Sequence, residues 1–276
     1  MSGPVADFLC NICSHYSRGV PLPQVENREC PTCRNCGSSL RMRSLMHLLS
    51  MELFGRALAV PEFPVDKSVV GVGLSDWERY SHWLERSFTY TNTFYHREPR
   101  LDITRPDPAL AGRFTFLIAS DVFEHIPVEG LRAAFANAHD MLADDGFMLF
   151  TVPFRGDGET VEHFPNLHDF TIEESGGART LVNTTADGKR EVFRDLVFHG
   201  GDGSTLEMRR FSRRGLRREF AAAGFGSVRM RADHYPLFGI LWPDADDVPV
   251  VARKSRVPRQ PVRRMKWRLR RALGIL

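Results

Sequence analysis

The stretch FTFLIASDVFEHIPVEGLRAAFANAHDMLADDGFMLFTVPF, Phe114 to Phe154, decides the fold. It opens with an apolar run, Phe114 to Ala119, too short for a helix and closed by polar Ser120 and Asp121, which predicts a buried strand. From Glu129 to Leu142 the apolar residues Leu131, Phe135, Ala138 and Leu142 fall four, three and four apart, one face of a helix. Asp144-Asp145-Gly146 predicts the turn that stops it, and Phe147 to Val152 a second apolar strand ended by Pro153. Strand, helix, turn and strand make a βαβ unit, which builds parallel sheets with right-handed crossovers. Ligands of open parallel sheets sit beyond the carboxyl ends of the strands. Ser120, Asp121, Val122, Glu124 and His125 therefore share a ligand-facing edge with Pro153 and Phe154.

Upstream, Val69-Val-Gly71-Val-Gly73-Leu-Ser75-Asp76 reads as strand and glycine turn, followed by a helix from Trp77 to Arg86. Glycines let backbone approach a ligand, and the helix start offers free N–H groups. Phe88 to Tyr95 reads as the next strand. Downstream, Ser212 to Phe225 is a helix with a serine cap and a Gly224 stop, and Gly226–Ala232 and Val248–Ala252 are closing strands. Between these blocks Arg155 to Met208 has few apolar periodicities and many glycines, and its place after a strand tip predicts a cover over the ligand edge. His163 and His168, five residues apart, can both face a cleft from a loop, where imidazole suits proton removal near neutral pH. The alternative is a pair of surface histidines.

All five cysteines lie between Cys10 and Cys36. Cys10-x-x-Cys13 and Cys33-x-x-Cys36 are separated by nineteen residues, the arrangement in which two tight turns complete a tetrahedral structural zinc site. Cys30-x-x-Cys33 is a rival pair; Gly37 directly after Cys36 favours Cys33 and Cys36 and leaves Cys30 a spare thiol. Ser38 or Ser39 caps a helix with the face Leu45, Met46, Leu49 and Leu53. Arg41 and Arg43 in its first turns read as a solvated face, with anion binding as the alternative. Gly55 and Pro61–Pro64 mark a boundary, dividing the chain into 1–61, 62–254 with the insert 155–208, and 255–276.

The 276 residues carry 42% hydrophobic and 26% charged side chains, ordinary for a soluble protein, and a net charge of +3. That charge is unevenly spread: from Val248 onward there are ten Lys/Arg and no Asp/Glu, so the tail is +10 and the body −7. Val262, Met265, Leu269, Leu273 and Leu276 form one face of a basic amphipathic helix, suited to an anionic membrane or to a protein contact, with nucleic acid the weaker alternative. No apolar run approaches the ~20 residues that span a bilayer, and the N-terminus lacks a signal pattern. The expected location is the cytoplasm, with contact at the inner face of the membrane through the tail.

Ser-Asp-Val-Phe-Glu-His-Ile-Pro, then a helix, then Leu-Ala-Asp-Asp-Gly-Phe-Met-Leu-Phe-Thr-Val-Pro-Phe resembles the fourth and fifth strands of class I S-adenosylmethionine-dependent methyltransferases. The likeness is specific over this block and can be followed more loosely from about Ser68 to Lys254. It implies an α/β, Rossmann-like sheet of seven strands, the last antiparallel, preceded here by a small zinc-ribbon module, with S-adenosylmethionine as cofactor. Gly71, Gly73 and Asp76 would then form the first cofactor loop. That loop departs from acidic-x-G-x-G-x-G by Val70 in place of the acid and Ser75 in place of the third glycine. Asn92 or Thr93 would meet the ribose, where the family has an acid. Asp102 would approach the adenine, or cap a turn; Asp121 and Val122 would line the cofactor; His163 or His168 would take the acceptor proton. The segments CGSSLRMRSLMHLLSMELFG, GVGLSDWERY and VFHGGDGSTLEMRRFS are similar to bacterial methyltransferase-domain proteins that often accompany glycosyltransferases. That similarity implies O-methylation of a sugar or glycolipid in surface polysaccharide synthesis. The alternatives are an RNA methyltransferase using ribbon and tail, and a binding protein that keeps the fold without turnover.

Overall fold

The computed structural model describes residues 3–199 and 205–255. Its first unit is a hairpin of β1 (Val5–Leu9) and β2 (Tyr16–Pro21), followed by a long helix, α1 (Leu40–Phe54). Then come β3 (Val70–Leu74), α2 (Glu78–Ser87), β4 (Thr89–Thr93), β5 (Phe114–Ser120), α3 (Val128–Met141) and β6 (Leu142–Thr151). The insert holds β7 (Asp169–Ser175), β8 (Ala178–Thr184) and β9 (Arg190–Phe193), and the chain closes with α4 (Arg213–Ala222), β10 (Ser227–Met230) and β11 (Val250–Arg253).

The central sheet has six strands in the order β10-β11-β6-β5-β3-β4, with β6, β5, β3 and β4 mutually parallel and β11 antiparallel to both its neighbours. The expected seventh strand is not formed among the described residues. Between β4 and β5 the chain makes only a Phe94–Arg100 bridge and a 3-10 turn at Pro108–Leu110. Pro99, Pro106 and Pro108 fall in this segment, and each removes a donor that a strand ladder requires.

A second correction concerns Asp144-Asp145-Gly146. No turn separates helix from strand there: β6 begins at Leu142 and carries these residues as an irregularity, Phe114 pairing with Leu142 and Phe116 with Phe147. The β5 backbone passes so close that a Cβ at Gly146 would lie 2.8 Å from the Phe114 carbonyl oxygen, which is why glycine stands there.

Alternating strand residues face two apolar layers. On one side Leu117, Ala119, Met148, Phe150 and Val250 pack with Leu131 and Phe135 of α3 and Leu216 and Phe220 of α4. On the other, Phe116, Ile118, Phe147 and Leu149 pack with Leu45 and Leu49 of α1 and Tyr80 and Leu84 of α2. Phe8, Cys10, Ile12 and Val20 belong to this second layer, so the cysteine unit and the sheet share one core. Helix α1 is accordingly buried on nearly all sides.

The insert is more ordered than its composition suggests. Its three strands form an antiparallel meander in the order β9-β8-β7, over a small core of Phe164, Leu167, Leu181, Leu206 and Met208. The turns are Gly176-Gly177 and a bend ending at Gly188, all with left-handed backbone. No helix among the described residues is long and apolar enough to cross a membrane. The amphipathic tail expected beyond Ser255 lies outside the described residues.

Candidate active site

The carboxyl ends of β3, β4, β5 and β6 form the edge at which a ligand is expected, and the expected cofactor residues other than Asp102 can be followed along it. At the β3 tip Ser75 has φ 57°, a left-handed conformation that favours glycine, so the turn is kept although the third glycine is not. Gly71 and Gly73 have separate reasons to be small. A Cβ at Gly71 would enter the Phe116 ring, and one at Gly73 would meet the Tyr90 hydroxyl and the Asp76 carboxylate. Asp76 is buried; the Tyr80 hydroxyl donates to its Oδ1 at 2.8 Å and the Tyr90 hydroxyl to its Oδ2. Asn92 closes the β3–β4 junction, its Oδ1 accepting from Asp76 N and its Nδ2 donating to Asp76 O, both at 2.8 Å. Thr93 Oγ1 donates to Gly73 O at 2.7 Å. The amide of Asn92 and the hydroxyl of Thr93 are thus engaged with main chain.

Burial lifts the Asp76 carboxyl to about 7, against the two tyrosine donors, which favour its ionised form. In the unfolded chain an aspartate titrates near ~3.9, so ionisation opposes folding between that pH and about 7. The stability contributed by neutral Asp76 is full at low pH and lost as pH rises through this window. Asp76→Asn is expected to abolish that loss, on the order of 4 kcal/mol. Urea unfolding of both proteins on either side of the window measures it, and equal pH slopes would count against it.

Asp102 stands apart, in an open groove of about 320 Å³ lined by Arg100, Leu101, Arg105 and Pro106. Its Oδ1 accepts from Thr104 N at 2.9 Å and from Thr104 Oγ1 at 2.7 Å, so it caps a turn.

The β5 tip is the most heavily constrained point of the edge. Asp121 has φ 53° and is held by Thr151, whose carbonyl accepts from Asp121 N and whose hydroxyl donates to Oδ1, each at 2.9 Å. Val122 follows at the start of the Phe123–His125 turn, of which Phe123 and Glu124 are buried. Onto Asp121 come two arginines from the cysteine unit. Arg28 Nη1 and Nη2 donate to its two oxygens at 2.9 and 2.6 Å, and Arg28 Nε donates to the Asp247 carbonyl at 3.1 Å. Arg41 Nε lies 3.2 Å from Oδ2, and Arg41 Nη1 donates to Ser120 Oγ. Burial alone would raise the Asp121 carboxyl, but Arg28 and Arg41 outweigh it and hold it well below the usual carboxylate range.

Arg41 and Arg43 therefore do not form a solvated helix face. Arg43 is wholly buried and lies over the Phe8 ring at 4.5 Å, donating to Thr32 Oγ1, Ser38 O and Gly239 O at 2.9, 2.6 and 3.0 Å. Burial lowers its pKa to about 10, still a cation at neutral pH. It ties the cysteine knuckle to the loop that returns from β10.

Cys10, Cys13, Cys33 and Cys36 converge with all Sγ atoms within 4.8 Å of one another, and Cys30 is outside this group. The Cys10–Cys36 and Cys13–Cys33 separations are both 3.6 Å. Thiolates around tetrahedral zinc at ~2.3 Å lie about 3.8 Å apart, whereas a disulfide requires ~2.05 Å. The set fits a four-thiolate ion. Gly37, φ 73°, turns the second knuckle and donates from N to Cys33 O at 2.9 Å.

The insert is pinned to the same tip: Met208 N donates to Glu124 O at 2.8 Å, Arg209 Nη1 to Phe123 O at 2.9 Å, and Leu206 O is 2.9 Å from His125 Nδ1. His163 is part-buried with Nε2 2.8 Å from Glu207 Oε1. His168 is exposed, its backbone N donating to Asn183 Oδ1 at 2.9 Å. Glu207, Arg28 and Arg41 are the site residues that the sequence did not single out for this edge.

A family model described as a methyltransferase domain matches residues 56–229. The chain belongs to this family. No functionally curated protein matches it in sequence. Solved structures similar to this methyltransferase include the 1,6-didemethyltoxoflavin-N1-methyltransferase of Burkholderia thailandensis with S-adenosylhomocysteine, at 16% identity, 77% of this chain, 79% of that chain and TM-score 0.40. They also include CalS10, an amino pentose methyltransferase of Micromonospora echinaspora with bound S-adenosylmethionine (15%, 79%, 93% and 0.43), and the sugar N-methyltransferase KedS8 of Streptoalloteichus (10%, 80%, 90% and 0.42). The cysteine unit, with Arg28 and Arg41, precedes the matched part of the methyltransferase.

Proposed function

We propose that this protein transfers a methyl group from S-adenosylmethionine to a hydroxyl of a sugar or glycolipid, with a structural zinc ion in the Cys10, Cys13, Cys33 and Cys36 cluster. The observation that carries the reading is the ligand edge itself: in a methyltransferase-family chain, a left-handed Ser75 turn and an ionised Asp121 flank the carboxyl ends of adjacent parallel strands. The cofactor would bring an electrophilic methyl group on a sulfonium. Its amino-acid end would lie on the Asp121 side of the edge, where a cluster of fixed charges of both signs suits a zwitterion. At the ribose end Asn92 would act from its backbone pairing with Asp76, without charge assistance. The sugar acceptor rests on the resemblance of the quoted segments to proteins that accompany glycosyltransferases.

His163 is the proposed base. When Nε2–H donates to Glu207, Nδ1 is left as the acceptor for a hydroxyl proton, and the carboxylate fixes both tautomer and ring orientation. His163→Ala is expected to lower kcat by roughly 10²–10⁴-fold, and Glu207→Gln by less, with little change in cofactor affinity. Transfer of labelled methyl to a panel of sugars and glycolipids measures both, and unchanged kcat in His163→Ala would remove His163 from the mechanism. Calorimetric titration with S-adenosylmethionine and S-adenosylhomocysteine tests the reading as a whole. Micromolar binding is expected, and no heat up to millimolar ligand would overturn it.

A further inference from the structure

Arg41 presents an unusual imbalance between a fixed cation and its counter-ion. Its guanidinium side chain is 13% exposed, yet it forks onto Glu29, which is 51% exposed, with Nε donating to Oε1 and Nη2 to Oε2 at 2.8 Å each. The cation belongs to the first turn of a buried helix and is braced by Ser120 and Asp121. The anion sits on a surface loop beside Asn27 and Cys30, where Asn27 Oδ1 accepts from the backbone N of both Glu29 and Cys30. Parallel two-bond pairing is the geometry with which arginine recognises a carboxylate.

The geometry points to Arg41 as a carboxylate-binding residue of the ligand edge, with Glu29 occupying the fork as an internal stand-in that an incoming carboxylate displaces. Two guanidinium charges, Arg28 and Arg41, are matched by Asp121 and Glu29. Once Glu29 swings into solvent the cluster is short of one negative charge, which a single carboxylate restores. Glu29 also meets Arg28 Nη1, but it is half exposed; Asp121, hydrogen-bonded to Arg28 and Thr151, ion-paired with Arg41 and only 17% exposed, cannot leave in the same way. The carboxylate can come from the amino-acid end of the cofactor or from an acidic acceptor. This inference rests on the proposed ligand edge but not on the identity of the methyl donor.

Glu29→Gln, Arg41→Lys and Arg41→Gln test it, with folding of each followed by circular dichroism. The probes are S-adenosylhomocysteine, its decarboxylated analogue, and acetate as a bare carboxylate. Removing the competing anion is expected to tighten S-adenosylhomocysteine roughly fivefold in Glu29→Gln and leave the decarboxylated analogue unchanged. Arg41→Gln should weaken S-adenosylhomocysteine by at least about tenfold, and the point charge of Arg41→Lys should restore only part of that. If the carboxylate belongs to the acceptor, S-adenosylhomocysteine affinity will be equal in all forms, while acetate will raise the melting temperature of Glu29→Gln and not that of Arg41→Gln. Wild-type protein that ignores S-adenosylhomocysteine but shows this acetate pattern would remove the cofactor reading and keep the carboxylate site. Glu29→Gln that changes neither affinity nor acetate response would overturn the inference, because a merely structural Glu29–Arg41 pair predicts lost stability and no gained binding.

Discussion

Asp121→Ala is expected to destabilise the protein by about 3 kcal/mol, the scale for removing one partner from a buried ionic cluster. Asp121 carries the two oxygens on which Arg28 closes and one of the contacts of Arg41, and its side chain is only 17% exposed. Without it Arg28 keeps the Asp247 carbonyl and Glu29, and two like charges remain together in a largely dry edge. Denaturant unfolding of the variant should show a lowered midpoint with an unchanged slope. The pH dependence has a definite sign. The folded carboxyl titrates below its unfolded value of ~3.9, so its contribution is present above that pH and is lost as pH falls through the folded value. Wild-type and variant stabilities should therefore converge in strong acid. Parallel curves down to low pH would show that Asp121 is not the anion that holds Arg28 and Arg41. S-adenosylhomocysteine binding should disappear in the same variant, and retention of full affinity would separate Asp121 from the cofactor.

Loss of the proposed zinc ion should cost more than the N-terminal hairpin. Because Phe8, Cys10, Ile12 and Val20 share a core with Phe116, Ile118, Phe147 and Leu149, unravelling the cysteine unit strips one face of the central sheet. Zinc on four thiolates is expected at one ion per chain. Chelation or Cys33→Ser should lower Tm by at least about 10 °C, since binding to such a site is itself folding free energy. Cys30→Ser is the internal control: Cys30 lies outside the four-sulfur group, so zinc content and Tm should match wild type. Metal analysis and calorimetric melting check both, and a Cys30→Ser protein as damaged as Cys33→Ser would require a different ligand set. The same experiment reports on the ligand edge. Arg28 and Arg41 flank the knuckle Cys33–Cys36, and Arg41 N donates to Arg28 O at 3.2 Å, so loss of the ion should also release both arginines from Asp121.

The βαβ unit was legible because every residue that defines it lies within Phe114–Phe154, and apolar spacing is a local property. The convergence of Cys10, Cys13, Cys33 and Cys36 was legible because ligand spacing and the left-handed Gly37 are also local. The meander of the insert was signalled by Gly176-Gly177 and Asp187-Gly188, but its strands expose residues on both faces, so apolar alternation is faint. The missing edge strand follows from Pro99, Pro106 and Pro108, which withhold donors that a ladder requires.

The sequence by itself determined the parallel α/β core and the four-cysteine set, since each is written in periodicity or spacing over tens of residues. Only the tertiary structure decided which distant residues meet around that core. Arg28 and Asp121 are 93 residues apart, Arg41 and Ser120 79, Arg43 and Gly239 196, and His163 and Glu207 44. On a bare helix Arg41 and Arg43 are solvated cations. Docking of α1 between the cysteine unit and the sheet removes their water and supplies Asp121, Glu29 and backbone carbonyls in its place. A desolvated charge must find such partners, and no spacing rule along one chain records which ones the fold will bring.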